Sequence, residues 1–410
     1  MSTATAVATL RSPDTIRARC RNVLEAGLRG ELASFAVHSD KLPDAARFTA
    51  EVTRRRYPDL KVPEHSRFGH FEAGGVKRLA ALDRALEPLP APERARSLID
   101  LVVVSVLLDA GAGMRWRYRE PDTGCALGRS EGLAVASLAW AQSGALSSRG
   151  EPYQVDATGL LAVSEASLAK AFQVDGDNPL VGVAGRVHLL RALAKALRER
   201  SDVFGREARI GGLYDHLCAR ATERRLPAPA ILAAVLEGLG GIWPGRLALE
   251  GEPLGDVWQH PAAGGEDATR GYVPFHKLSQ WLSYSLLHPL EVGGIEVTEL
   301  GRLTGLAEYR NGGLFVDTGV LVPKDARTTA EEHDVSAPVI VEWRALTVAL
   351  LDEIAPLVRR ELGFAKDDER ALPLCAVLEG GTWAAGRELA ERARQDGGPP
   401  IRVRSDGTVF

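Results

Sequence analysis

Most of this chain reads at the period of an α-helix, and that regularity limits the folds open to it. Val183, Val187, Leu190, Leu193 and Leu197 recur at steps of four and three, with Arg191, Lys195 and Arg198 on the other side. Asn178 and Pro179 supply an N-cap and a proline for the first turn of that helix. From Ser336 a longer stripe of Val339, Trp343, Leu346, Leu350, Ile354 and Leu357 follows, with Pro356 expected to kink it near its end. Comparable stripes cover residues 15–28, 43–57, 94–108, 131–145, 228–239 and 373–394. Strand signals are few. Residues 314–322 are apolar and β-branched around Asp317-Thr318-Gly319, which suits a hairpin or strand-turn. Residues 115–119 alternate basic and aromatic side chains, and 401–403 suit a terminal strand. The expectation is a mostly α protein with minor β pieces, and without a fixed period it is not a solenoid.

Glycine- and proline-rich breaks at 120–128, 241–271 and 323–329 are not clean enough to name as linkers. Residues 1–410 are therefore expected to form one large helical unit, or two lobes with a cleft between them, behind a mobile leader at 1–12. The 50 basic residues against 54 acidic ones give a net charge of -4, which weighs against a phosphate backbone as main partner. Cys20, Cys125, Cys218 and Cys375 form no CxxC pair and suit reduced cytosolic thiols. The most apolar stretch, 101–108, is less than half the ~20 residues that cross a bilayer, and the N-terminus lacks a secretory pattern. A cytoplasmic protein is expected.

Common nucleotide, dinucleotide, hydrolase-elbow and zincin motifs are missing. Asp175-Gly176-Asp177-Asn178 has the start of a calcium loop without its later ligands and reads as a helix cap. His65 and His70 are five apart and do not share a helical face. Residues 305–313 are more unusual: Glu308, Tyr309, Arg310 and Asn311 stand in succession before Gly312-Gly313, with Asp317 just beyond. Two carboxylates around such a turn can converge on a substrate, while the glycines admit close backbone approach. The competing reading is a helix that ends in a glycine cap. Lys277, Trp281, Tyr284 and His288 fall at steps of four, three and four on one helical face, either lining a pocket or filling core. Asp109 ends the most apolar helix, where a carboxylate opposes the helix dipole. It calls for a partner such as Arg115 or for a cavity.

Several longer strings carry a family resemblance: Pro63-Glu64-His65-Ser66-Arg67-Phe68-Gly69-His70-Phe71, Leu108-Asp109-Ala110-Gly111-Ala112-Gly113-Met114-Arg115-Trp116, the Glu308 to Asp317 segment, Leu378-Glu379-Gly380-Gly381-Thr382-Trp383, and the closing Ser405-Asp406-Gly407-Thr408-Val409-Phe410. With them the chain resembles, nearly end to end, a family of fungi and bacteria associated with a non-standard route of uracil catabolism. The resemblance implies a functional partner similar to GTP cyclohydrolase II, which opens the pyrimidine ring. A more distant similarity is to the queuosine-salvage nucleotide N-glycosylases, relatives of helical DNA glycosylases, and it implies a two-lobed helical architecture. Asp109-Ala110 to Trp116 looks like their apolar helix with aromatics after it, and Gly185 to Arg191 like their arginine-containing helix. Lys277 to Gln280 resembles their Lys-x-x-Gln helix, Glu308-Tyr309-Arg310 their Asp-Tyr-Arg segment, and Glu342 to Thr347 their late Glu-x-Arg-Ala-x-Thr helix. Glu308 departs from that pattern by one methylene.

Together these imply hydrolysis of the N-glycosidic bond of a small ribosyl substrate, a ribosylurea or its 5′-phosphate, with no metal or redox cofactor required. Glu308 is expected to stabilise the ribosyl cation and orient water, with Asp109 or Asp317 holding ribose hydroxyls. Asn311 and Tyr309 stand nearest to serve the urea leaving group, and Lys277 with Arg310 or Arg344 to bind a phosphate. Trp281 or Trp116 is expected to cap the ring or the planar urea, and Gln280, Arg115, His65 and Arg67 complete the expected substrate-binding set. Two other classes compete: a ureido amidohydrolase or deaminase, for which the sequence offers no convincing metal ligands, and a non-catalytic partner of the ring-opening enzyme.

Overall fold

The longest element is the helix Pro338–Leu362, and its ends follow from its sequence. Pro338 takes the first position, where its missing N–H has no partner to lose, and Gly363 closes the helix at φ 91, a left-handed geometry that only glycine adopts freely. The helix runs through Pro356, and its buried stripe packs against the helices Pro13–Leu28 and Leu42–Arg56. In this computed structural model, which describes residues 2–109, 111–243, 247–365 and 367–404, 57% of the described residues are helical. The only sheets among the described residues are two-stranded pairs. No described helix is long and apolar enough to cross a membrane. The described residues divide into two compact units, one within Met1–His65, Gly245–Gln280 and Leu300–Ser405, the other within Ser66–Pro244 and Trp281–Glu299.

In the first unit, most of the stretch expected as a mobile leader is helical and packed. Thr3–Leu10 is a helix capped by the Ser2 side chain, and its Val7 and Leu10 are buried with Leu254 and Val257. Burial of these apolar side chains offsets part of the entropy lost in ordering the segment. The strand expected within 314–322 is also corrected. Tyr309–Asp317 is a helix, Gly319 turns the chain at φ 74, and only Leu321–Pro323 is extended, paired antiparallel with Phe35–Val37. The helix wins because Glu308 caps it while Leu314 and Phe315 bury one face. The 373–394 stripe is broken into Leu374–Val377, a π-turn at Leu378–Thr382, and Trp383–Ala393.

The second unit is built on the apolar helix Ala91–Leu107, which packs against Arg129–Gln142, Gly212–Cys218 and Leu287–Val292. Asp100, buried within it, receives the Arg209 guanidinium at 2.6 Å and the Gly211 N–H at 2.7 Å. The helix expected to start at Pro179 starts instead at Val183. Asn178 is occupied elsewhere: its side chain accepts from the Arg117 N–H and donates to the carbonyls of Arg117 and Gln173. Strand Arg225–Pro227 pairs in parallel with Glu296–Thr298, tying two distant stretches of chain. The single helix expected to carry Lys277 to His288 on one face is two helices, Lys277–Ser285 and Leu287–Val292, and His288 in the second meets the Phe68 ring edge-on at 4.9 Å.

Candidate functional site

Glu308 sits in extended backbone at φ -123, ψ 162, immediately before its helix. One carboxylate oxygen accepts the Arg310 N–H at 2.7 Å and the other the Asn311 N–H at 2.5 Å. The side chain is thus locked against the positive end of the helix, with two otherwise orphaned donors satisfied. The residue is 7% exposed. Asn311 is fully buried, and its amide oxygen accepts the Thr382 hydroxyl at 2.8 Å. Its Nδ2 is buried with no hydrogen-bond partner among the described residues. Buried donors are nearly always paired, so this nitrogen stands out. Thr382 belongs to the π-turn, a local widening frequent at functional sites.

The first unit also draws together Lys277, Gln280 and Arg344. Asp256 accepts both Arg344 Nη1 and Nη2 at 2.8 Å, the Trp258 indole at 2.7 Å and the Lys277 N–H at 2.9 Å. Arg344 Nε donates to the carbonyl of Ala307, next to Glu308, at 3.3 Å. One turn on from Lys277, Gln280 Nε2 donates to the Thr304 hydroxyl at 3.0 Å. Two links therefore join the start of the Lys277 helix to the stretch leading into Glu308. Burial raises the Asp256 carboxyl, but the Arg344 charge and bonds outweigh it and hold it well below the usual carboxylate range. Arg344, 1% exposed and stacked 4.3 Å over Phe275, is a clamp rather than a phosphate ligand.

Other expected ligands have structural work. Asp317 does not converge with Glu308: the two stand at opposite ends of a nine-residue helix, ~13 Å apart along its axis. The Asp317 carboxylate is held in a fork by Arg394 at 2.8 and 2.6 Å. Arg310 donates to the Gly397 carbonyl at 2.9 Å and lies 5.1 Å over the half-buried Tyr309 ring. Gly312 and Gly313 do not cap the helix but lie within it. A Cβ on Gly312 would lie 2.7 Å from Thr347 Oγ1 and 2.7 Å from the Trp343 ring, so its bareness permits close helix packing. His65 is buried, with Nδ1 2.7 Å from Glu379 Oε2. The other Glu379 oxygen takes Tyr57 and Arg56, each at 3.3 Å, while burial and then the Glu379 charge push the Tyr57 phenol up to about 12.

In the second unit Asp109 pairs with Arg67 at 3.0 Å, not with Arg115, and accepts the Ser130 hydroxyl at 2.5 Å. Arg115 is exposed and reaches the Asp177 carbonyl at 3.5 Å. Trp116 is core: fully buried, it donates to the Phe172 carbonyl at 2.9 Å and stacks on that ring, which explains why an aromatic follows the apolar helix. Trp281 lies 5.6 Å from the Arg67 guanidinium. Ala110 and Ser405 to Phe410, part of the family strings, lie outside the described residues.

Asp256, Thr382, Ser130 and Glu379 were missed as neighbours of these groups. Only Glu379 and Thr382 carried a signal, through the Leu378-Glu379-Gly380-Gly381-Thr382-Trp383 string. Comparison with known proteins matches residues 9–410 to the family described as protein of unknown function DUF1688. Protein urg3 of Schizosaccharomyces pombe is 41% identical with both chains covered in full. Uracil catabolism protein 4 of Lachancea kluyveri is 39% identical over 93% of each chain. With a family match across nearly its whole length and full-length relatives at this identity, the chain belongs to the DUF1688 family.

Proposed function

We propose that this protein acts in uracil catabolism and hydrolyses the N-glycosidic bond of a ribosylurea or its 5′-phosphate. The pathway part rests on the name of a relative 39% identical over 93% of each chain. The chemical part rests on one observation: a nearly buried carboxylate, Glu308, is fixed by two backbone N–H groups beside an unpartnered buried amide nitrogen on Asn311.

As the bond from C1′ to the ureido nitrogen breaks, positive charge gathers on the ribosyl ring and negative charge on the leaving group. A carboxylate that needs no reorganisation stabilises the first, because each of its oxygens keeps a further lone pair beyond the capping bond. Asn311 Nδ2 is a donor for the ureido oxygen; water adds to C1′, Glu308 takes its proton, and that proton passes to the departing ureido nitrogen so that neutral urea leaves. Lys277 is the cation of this unit assigned to a 5′-phosphate; Arg344 and Asp317, occupied by Asp256 and Arg394, take no part in binding.

The test is incubation of purified protein with ribosylurea, its 5′-phosphate and nucleoside monophosphates while reducing sugar is followed. Glu308→Gln, which keeps a capping oxygen, is expected to retain ligand binding and lose turnover by about 100-fold or more. Undiminished turnover removes Glu308 from this role. Release of ammonia without sugar moves the chemistry to the ureido group.

A further inference from the structure

The second unit holds a buried polar cluster that the proposed reaction leaves unused. Arg67 is fully buried. Its Nε donates to Ser105 Oγ at 2.7 Å, and that hydroxyl lies 2.6 Å from Ser137 Oγ. Its Nη1 serves the Ser130 carbonyl at 3.2 Å, the Ser130 hydroxyl at 3.0 Å and Asp109 at 3.0 Å. Its backbone N–H donates to Ser285 Oγ at 2.9 Å. Nη2 is the exception, buried with no hydrogen-bond partner among the described residues. Leaving a charged donor unsatisfied inside a protein is costly, so an acceptor from outside the chain restores a substantial term.

Charge decides what that acceptor is. Arg67 is balanced by Asp109, and Glu131 also acts on it electrostatically. Arg186, the other cation near Asp109, is turned to the backbone carbonyls of Leu108 at 3.1 Å, Gly111 at 3.5 Å and Val181. Two cations and two anions leave no net field for a phosphate dianion. A neutral group with a carbonyl for Nη2 and N–H for the Asp109 carboxylate matches the donor and acceptor that the cluster offers. The Trp281 ring, 5.6 Å from the guanidinium carbon, adds a flat apolar surface. We propose that Arg67, Asp109 and Trp281 form a binding site for a planar, uncharged ureido or primary amide group. This rests on the second unit alone and does not depend on the role given to Glu308.

The test uses the full chain with N-methylurea as probe, its binding read by saturation-transfer NMR, with acetamide as competitor and inorganic phosphate, followed by ³¹P line width, as the charged alternative. N-Methylurea is expected to bind, to be displaced by acetamide and not by phosphate, and to bind Glu308→Gln as it binds the parent. Asp109→Asn and Arg67→Lys are expected to weaken it about tenfold, roughly 1.4 kcal/mol. Should either variant fail to fold by circular dichroism, Ser130→Ala, which removes only the hydroxyl shared by Arg67 and Asp109, is expected to weaken binding about threefold. No binding to the parent protein, phosphate binding in its place, or the same affinity in every folded variant overturns the proposal. Loss of turnover in Glu308→Gln with methylurea binding intact would leave both readings standing, and either can fail without the other.

Discussion

Asp256 accepts four hydrogen bonds, from the Arg344 fork, the Trp258 indole and the Lys277 backbone, and has the pattern of a carboxylate kept for its charge. Its depressed pKa makes a signed prediction about acid. An unfolded aspartate takes its proton near pH ~3.9, whereas the folded one resists to lower pH. The pair's contribution is therefore complete above that pH and is lost as pH falls from about 4 toward the folded value. Acid unfolding followed by circular dichroism should show a limb in that window, and Asp256→Asn should flatten it. At pH 7 the same substitution leaves Arg344 with a weakened partner and is expected to cost about 3–5 kcal/mol in urea titrations. An unchanged acid limb would contradict the assignment. None of this was legible in the sequence. Arg344 drew notice as a candidate ligand, while Asp256 lies within a glycine-rich break with no motif around it, and only tertiary contact pairs them.

At the scale of elements, the Tyr309 helix is packed through glycines. Gly312 faces Thr347 and Trp343 of the long helix, and Gly386, in the helix Trp383–Ala393, approaches so closely that a Cβ there would lie 2.0 Å from the Arg310 carbonyl oxygen. Neither neighbour of Gly312 can retreat: Thr347 Oγ1 is bonded to the Trp343 carbonyl at 2.8 Å, and the Trp343 indole to the Gly312 carbonyl at 3.1 Å. Gly312→Ala should therefore destabilise by about 1–3 kcal/mol, although alanine is the better helix former by ~1 kcal/mol. Gly313→Ala, whose nearest contact is Pro400 Cδ at 3.1 Å, should cost much less. Equal shifts in the urea midpoint would refute this account of the packing. The helices of this protein were readable because their apolar stripes are long; in 338–362 Trp343, Leu346, Leu350 and Ile354 of the expected stripe are buried, while Val339 and Leu357 at its ends are half-buried. Residues 314–322 misled because a short apolar, β-branched run suits a buried helix end as well as a strand, and the Glu308 cap that decides between them is a single residue. The glycine pair misled because bare positions for helix packing and for turns look alike in one sequence.

For the molecule as a whole, neither unit is a continuous stretch of chain. The second takes residues 281–299 after a long excursion, and with them Trp281 and Ser285 beside Arg67 and the strand that pairs with Arg225–Pro227. A fragment of residues 66–244 expressed alone should accordingly lack a cooperative urea transition, whereas the full chain shows one. A sharp transition in the fragment would mean that the later segment is not needed for folding. The broad helical character was legible, but this interleaving was not, since periodicity reports faces and says nothing about which distant faces meet.

Glu308 has a further consequence for how its importance would be perceived. The carboxylate that the proposed chemistry employs also fastens the start of its own helix. A library scored for soluble yield alone would mark position 308 as intolerant alongside ordinary interior leucines, and the catalytic duty proposed for it would pass unnoticed. Comparing tolerance for glutamine with tolerance for alanine there, under growth that requires the pathway, separates the two demands on one side chain.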